Sequence, residues 1–143
     1  MPANGAIYIQ KDTVNLFDVF EKVKTGRSPD GKTLHYDVVL EHDVIRFNIM
    51  RPSEVPKHIV GFLAYIDSLQ ADKKRKTETS SVISHTKLVL GLSTDKEFEE
   101  NHLIWNSLFK IAAHYDGLVY VGGSVLLSNG AVLVGPLMDT KTS

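Results

Sequence analysis

The stretch from Thr94 to Val134 constrains the fold more than any other, because it specifies a helix and a tight hairpin in succession. Thr94 and Glu97 form a capping box, in which the hydroxyl accepts from a first-turn N–H and the carboxylate reaches back to the cap. Asp95, Glu97, Glu99 and Glu100 complement the positive end of the helix dipole. Phe98, Trp105, Leu108, Phe109 and Ala112 recur at helical spacing and predict one wide apolar face. Gly117, after Tyr115 and Asp116, is expected to take the left-handed conformation that ends the helix. Leu118 to Val121 then reads as a strand, Gly122-Gly123 as a sharp bend or bulge, and Ser124 to Leu127 as a second strand. Asn129-Gly130 ahead of Val132-Leu133-Val134 is the strongest hairpin signal, since a type I′ turn needs positive φ at both central residues. Lys87 to Leu92 reads as a buried strand before the helix, so a parallel, right-handed crossover is expected.

Upstream, Ala6 to Ile9 is a short candidate strand. Asp12 or Thr13 can cap a helix showing Leu16, Phe17, Phe20 and Val23 on one side, ending at Gly26. Thr25 to Thr33, with two glycines and a proline, reads as an exposed loop. Leu34, Tyr36, Val38 and Leu40 alternate with polar neighbours, as do Ile45, Phe47 and Ile49, predicting an antiparallel hairpin that turns at Glu41-His42-Asp43. Pro56 suits the first turn of a helix that buries Ile59, Leu63, Ile66 and Leu69, with Phe62 flanking. Ala71 to Ser81, which holds Lys73, Lys74, Arg75 and Lys76 in a row, reads as a mobile loop. The expected order is β-α-β-β-α-β-α-β-β: a single α+β domain over residues 1–143, built as a two-layer sandwich of a mixed sheet with three helices packed on one face.

The chain has 143 residues, enough to bury about two-thirds of its unfolded surface. Sixteen basic and seventeen acidic residues leave a net charge of −1, so no global field draws it to nucleic acid or to anionic membranes. With no cysteine, disulfides, thiolate nucleophiles and zinc–thiolate sites are excluded. Met1 to Gln10 lacks the basic and apolar regions of a signal peptide. No apolar run approaches the roughly 20 residues that span a bilayer, and a cytoplasmic protein is expected.

Histidines are the natural candidates for chemistry. His35, Asp37, His42 and Asp43 lie on or beside one predicted hairpin, but strand geometry separates the two histidines by roughly 20 Å, too far for one coordination sphere. No metal or other cofactor is expected. His85, on the presumed central strand, and His102, on the apolar face of the long helix, are either half-buried structural histidines or the polar floor of a pocket that includes Trp105. His114 complements a helix C-terminus. Gly122-Gly123-Ser124 lacks the helix N-terminus that phosphate binding uses. No nucleophile elbow, Walker loop or dinucleotide fingerprint is present.

The segment from Ser84 to Leu92, the long helix, and Tyr115-Asp116-Gly117-Leu118-Val119-Tyr120, together with the proline-bounded helix entry from Pro52 to His58, resembles a group of small stand-alone bacterial domains. Some of these are similar to immunity proteins that neutralise toxins delivered between bacteria, which implies a protein partner, a cognate toxin among the candidates, and no catalytic residues. The leading expectation is a protein-binding domain. The alternatives are a small α+β enzyme using a histidine and a carboxylate, and a domain that binds a small ligand.

Overall fold

A computed structural model describes residues 5–31, 34–41, 43–93 and 102–135. Strand β1 (Gly5–Ile9) leads through a single 3-10 turn at Leu16–Asp18 into β2 (Val23–Arg27), β3 (Leu34–Leu40) and β4 (Asp43–Ile49). Helices α1 (Val55–Ser68) and α2 (Lys73–Ser84) follow, then β5 (Leu88–Ser93), helix α3 (His102–Tyr115), and strands β6 (Leu118–Val121), β7 (Ser124–Leu126) and β8 (Val132–Val134). The eight strands form one open sheet in the order β2-β3-β4-β5-β1-β6-β7-β8.

Every pairing in this sheet is antiparallel, so the expected mixed sheet is corrected. The predicted crossover survives in a modified form. Ile7 pairs with Leu90 on one side and Val119 on the other. Both neighbours run opposite to β1, hence β5 and β6 run the same way with β1 between them.

The helices also do not share a face. Strand neighbours point to opposite sides of a sheet, and β1 is apolar on both. Ile7 and Ile9 join Leu90, Leu92 and Val119 in a core closed by Ile104, Leu108, Ile111 and Ala112 of α3. Tyr8 and Val89 face the other way, with Leu118, Val125 and Val134, and are covered by Val55, Ile59, Phe62 and Ile66 of α1 and Ile83 of α2. The sheet is therefore sandwiched between helices, and the expectation of three helices on one face is overturned. A strand buried on both faces needs cover on both, and Ile7-Tyr8-Ile9 and Leu88-Val89-Leu90 are such strands.

Several local expectations change for identifiable reasons. The helix anticipated after Asp12 shrinks to one 3-10 turn, capped by Asn15, whose Oδ1 accepts from the Phe17 N–H at 3.1 Å. The segment is held to the end of α3 by the Tyr115 hydroxyl, which accepts from Asn15 N at 2.7 Å and donates to Asn15 O at 2.9 Å. Val23 leaves it to pair with Val38, and residues expected in a loop become β2. Gly26 sits opposite His35, where a Cβ would lie 2.5 Å from Nε2 of the ring. The segment Ala71 to Ser81, expected to be a loop, is helical from Lys73 on, with the basic run as the first turn of α2, which buries only Thr79 and Ile83. Arg75 Nη1 donates to Val132 O at 3.1 Å and Lys76 Nζ to Asp67 O at 2.6 Å, fastening the helix to β8 and to the end of α1.

Helix α1 starts as expected, with Pro56 in its first turn, although Phe62 is buried rather than flanking. Helix α3 ends in a Schellman arrangement in which Gly117 N donates to Ala112 O at 2.8 Å. The left-handed residue is Asp116 (φ 57°), not Gly117. Gly117 is required for another reason: a Cβ there would stand 2.8 Å from the Tyr8 carbonyl oxygen. Gly122 and Gly123, both at positive φ, form the two-residue turn between β6 and β7. Before β8, only Gly130 is left-handed (φ 90°), while Asn129 Oδ1 accepts from Ala131 N at 2.9 Å. The Thr94–Glu97 capping box lies outside the described residues.

Gly117→Ala forces the added methyl against a backbone carbonyl of the central strand. Overpacking of this kind costs roughly 1–3 kcal/mol, so the urea midpoint should fall. An unchanged midpoint would mean that β1 and the α3–β6 junction are less closely apposed than described.

Candidate functional site

Among the described residues, a concave groove lies where α1 crosses the sheet beside β1 and β6. Helical spacing brings His58, Phe62 and Tyr65 along one side of α1, and strand register places Tyr8 beside Leu118 and Ala6 beside Tyr120. These rings pack on one another. Tyr8 and Phe62 lie parallel with centroids 4.6 Å apart, and Phe62 and Tyr65 are nearly parallel at 6.1 Å. Tyr120 stands edge-on to both Phe62 and Tyr65, at 5.0 and 6.0 Å. Parallel and edge-on contacts of this kind suit the aromatic quadrupole. The Tyr65 hydroxyl donates to Gly123 O at 2.6 Å, tying α1 to the β6–β7 turn.

Above these rings opens a groove of about 680 Å³, walled by Gly61 and rimmed by Met50, Glu54 and Lys57. A smaller chamber of about 290 Å³ adjoins it through Met50, Glu54 and His58. Its floor is Ala6, Val89 and Gly91, and Asn48 and Arg51 stand at its sides. Arg51 is held by an ion pair with Asp30 at 3.3 Å.

Gly61 and Gly91 share a feature that the packed glycines lack. Neither adopts positive φ, and a Cβ on either would meet no atom within 4 Å. The fold needs glycine at neither place, and each absent side chain leaves space in a chamber.

Tyr8 and His58 are the chemically distinctive pair. The phenol oxygen and His58 Nε2 are 2.9 Å apart. Burial, helped by the nearby Tyr120 hydroxyl, pushes the Tyr8 phenol well above its ordinary range, so it is a proton donor at neutral pH. Burial holds the His58 imidazole below its ordinary value. The phenol and the neutral ring thus share one hydrogen bond through Nε2. Tyr120 is raised as well, by burial first and then by Tyr65.

The residues singled out from sequence do not form this site. His85 is not on a strand. It ends α2, exposed, with Nδ1 2.7 Å from Ser81 O. His102 opens α3, and its side chain lies outside the described residues. Trp105 is half-buried against Phe109, on the sheet face opposite the groove. His35 lies buried over Gly26 with Nε2 3.7 Å from Asp37 Oδ2, while Asp37 is gripped by Arg46 at 2.8 Å. His42 is outside the described residues. Among those described, no three histidine, aspartate or glutamate side chains converge as a metal ion requires, and no helix is long and apolar enough to cross a membrane. The groove residues did leave a signal: His58, Phe62 and Tyr65 at spacings of four and three are a ring-bearing stripe on one helix.

No family model matches the chain, and no curated protein or solved structure matches it either. The functional reading rests on this geometry.

Because the folded pKa of His58 is depressed, the unfolded chain binds that proton more tightly. Its contribution to stability is complete above about pH 6.5 and is lost as pH falls from there towards the folded value. Asp37, held low first by the Arg46 hydrogen bond, acts in a separate window, below about pH 3.9. His58→Gln should therefore show a smaller drop in melting temperature between pH 7 and pH 5 than the parent. An equal drop in both would place the titrating group elsewhere.

Proposed function

We propose that this domain is a small cytoplasmic binding protein whose aromatic groove takes a flat, apolar ligand. The observation that carries the reading is the pairing of a ring-lined floor with a helix wall kept open by Gly61. Ligand sites are concave, mostly apolar and equipped with a few polar groups, and here those groups are Glu54, Lys57 and the His58 imidazole. A glycine within a helix costs about 1 kcal/mol relative to alanine, and at this position an unfilled groove is what that cost leaves in place. Where the enzyme alternative sought a histidine and a carboxylate in a concave site, the groove supplies His58 and Glu54, one helical turn apart.

A protein partner, the leading expectation from sequence and including a toxin of the immunity type, draws support from a different observation. Val60 on α1 is 70 % exposed and Val44 on β4 is 61 % exposed. In that reading the same groove accepts an aromatic side chain of the partner as an anchor.

Gly61→Leu tests the reading with effects of opposite sign. Leucine restores helix propensity worth roughly 1 kcal/mol, so the melting temperature should rise. The added side chain enters the groove, so the shifts that indole induces in the Tyr65 and Tyr120 ring resonances of the parent should weaken at least tenfold in affinity. Undiminished indole binding in the more stable variant would refute the groove as the site.

A further inference from the structure

Resting on that reading, we infer that the two chambers form one site, and that its ligand is an aromatic α-amino acid, with the ring in the larger chamber and the zwitterionic head in the smaller. The smaller chamber is shaped by the sheet. Gly91 pairs with Ala6 of β1 on one side and Asn48 of β4 on the other. Register places these three residues in a row on one face, where two minimal side chains lower the floor and an amide stands at the end. A Cβ on Gly91 would point into open space, so the low floor is not a packing requirement.

The polar groups around this floor carry both signs. Arg51 brings a guanidinium, oriented by its 3.3 Å ion pair with Asp30, and Glu54 brings a carboxylate; both line the chamber. Asn48 adds a donor and an acceptor on one planar group. An anionic head alone would meet Glu54, and a cationic head alone would meet Arg51. A head with ammonium and carboxylate on the same carbon complements the set. Glu54 also lines the aromatic groove, so the ammonium sits at the junction, next to the carbon that bears the side chain. The carboxylate then lies over Gly91, towards Asn48 and Arg51. Met50 and His58 line both chambers, so the head in the smaller one adjoins a ring lying on Tyr65 and Tyr120 in the larger.

Four probes dissect the head: L-tryptophan, tryptamine, indole-3-propionate and indole, each titrated calorimetrically into the parent, Gly91→Val and Glu54→Gln. In the parent, L-tryptophan should bind about tenfold tighter than indole, the scale of one charge-assisted hydrogen bond, and tighter than either singly charged analogue. Gly91→Val fills the floor of the smaller chamber at a strand site with room for it, so its melting temperature should equal or exceed the parent's while the ratio of tryptophan to indole affinity falls to near one. Glu54→Gln should bring L-tryptophan down to the level of indole-3-propionate. If the parent binds indole and L-tryptophan equally, or if the ratio persists in folded Gly91→Val, the head does not occupy this chamber and the inference fails while the groove reading stands. A singly charged analogue that equals L-tryptophan overturns the zwitterion assignment. Absence of indole binding in the parent removes the groove reading and this inference together.

Discussion

Burial of β1 on both faces and both edges is the constraint from which the rest of the molecule follows. Five residues pair with β5 and four of them with β6, and their side chains alternate between a core closed by α3 and another closed by α1 and α2. Ile7 and Ile9 supply one core, and Tyr8 the other. Fully burying a large apolar side chain contributes about 1.5–3 kcal/mol, and here consecutive residues do so in opposite directions. The same arrangement explains Gly117, which lets the α3–β6 junction approach the backbone of Tyr8.

The groove grows out of that central strand. Tyr8 is 3 % exposed and its phenol is engaged with His58, so the floor is built of groups already satisfied within the fold. Phe62 stacks on it, Tyr120 stands edge-on, and Tyr65 is fixed by a backbone carbonyl. Rings held by one another lose little further freedom when something settles on them, which lowers the entropic cost of binding. Glycines at Gly61 and Gly91 keep the volume above this floor open without any conformational reason to be there. The fold thus spends helix and strand propensity on open volume rather than on packing.

Legibility in the sequence followed the completeness of each periodic pattern. The β3–β4 hairpin places Tyr36, Val38, Ile45 and Phe47 inward at alternate positions, and that spacing makes it legible. Helix α1 is announced by Pro56 and by apolar spacing. Helix α2 is not, because only Thr79 and Ile83 are buried and its charged first turn imitates a loop. Strand β2 is concealed by Gly26 and by exposed Lys24, Thr25 and Arg27; its place is set by pairing with β3 rather than by its own side chains. The face on which each helix packs was recoverable from Ile7-Tyr8-Ile9, since an unbroken apolar run has no polar side to leave uncovered. The groove was harder to see. Its rings come from β1, α1 and β6, and their convergence is a product of sheet order, which no local pattern encodes.

The position of β1 between β5 and β6 also bears on the order of assembly. Strands β2, β3 and β4 are joined by short connections and can zip together locally. By contrast, β5 and β6 are bridged by α3 with a gap one strand wide, and the strand that fills it comes from the opposite end of the chain. On a ribosome, β1 emerges before β5 and β6 and can complete its pairing only after residues 118–121 have followed. Until then the β6-facing edge of β1 presents unpaired N–H and C=O groups, the template on which foreign strands add. Closing so long a loop carries an entropic cost that grows only logarithmically with length, yet topologies dominated by such distant pairings fold slowly. The strand paired along both edges in the finished molecule is thus the one whose pairing is completed late, and the unfinished molecule is exposed to misassembly in the interval.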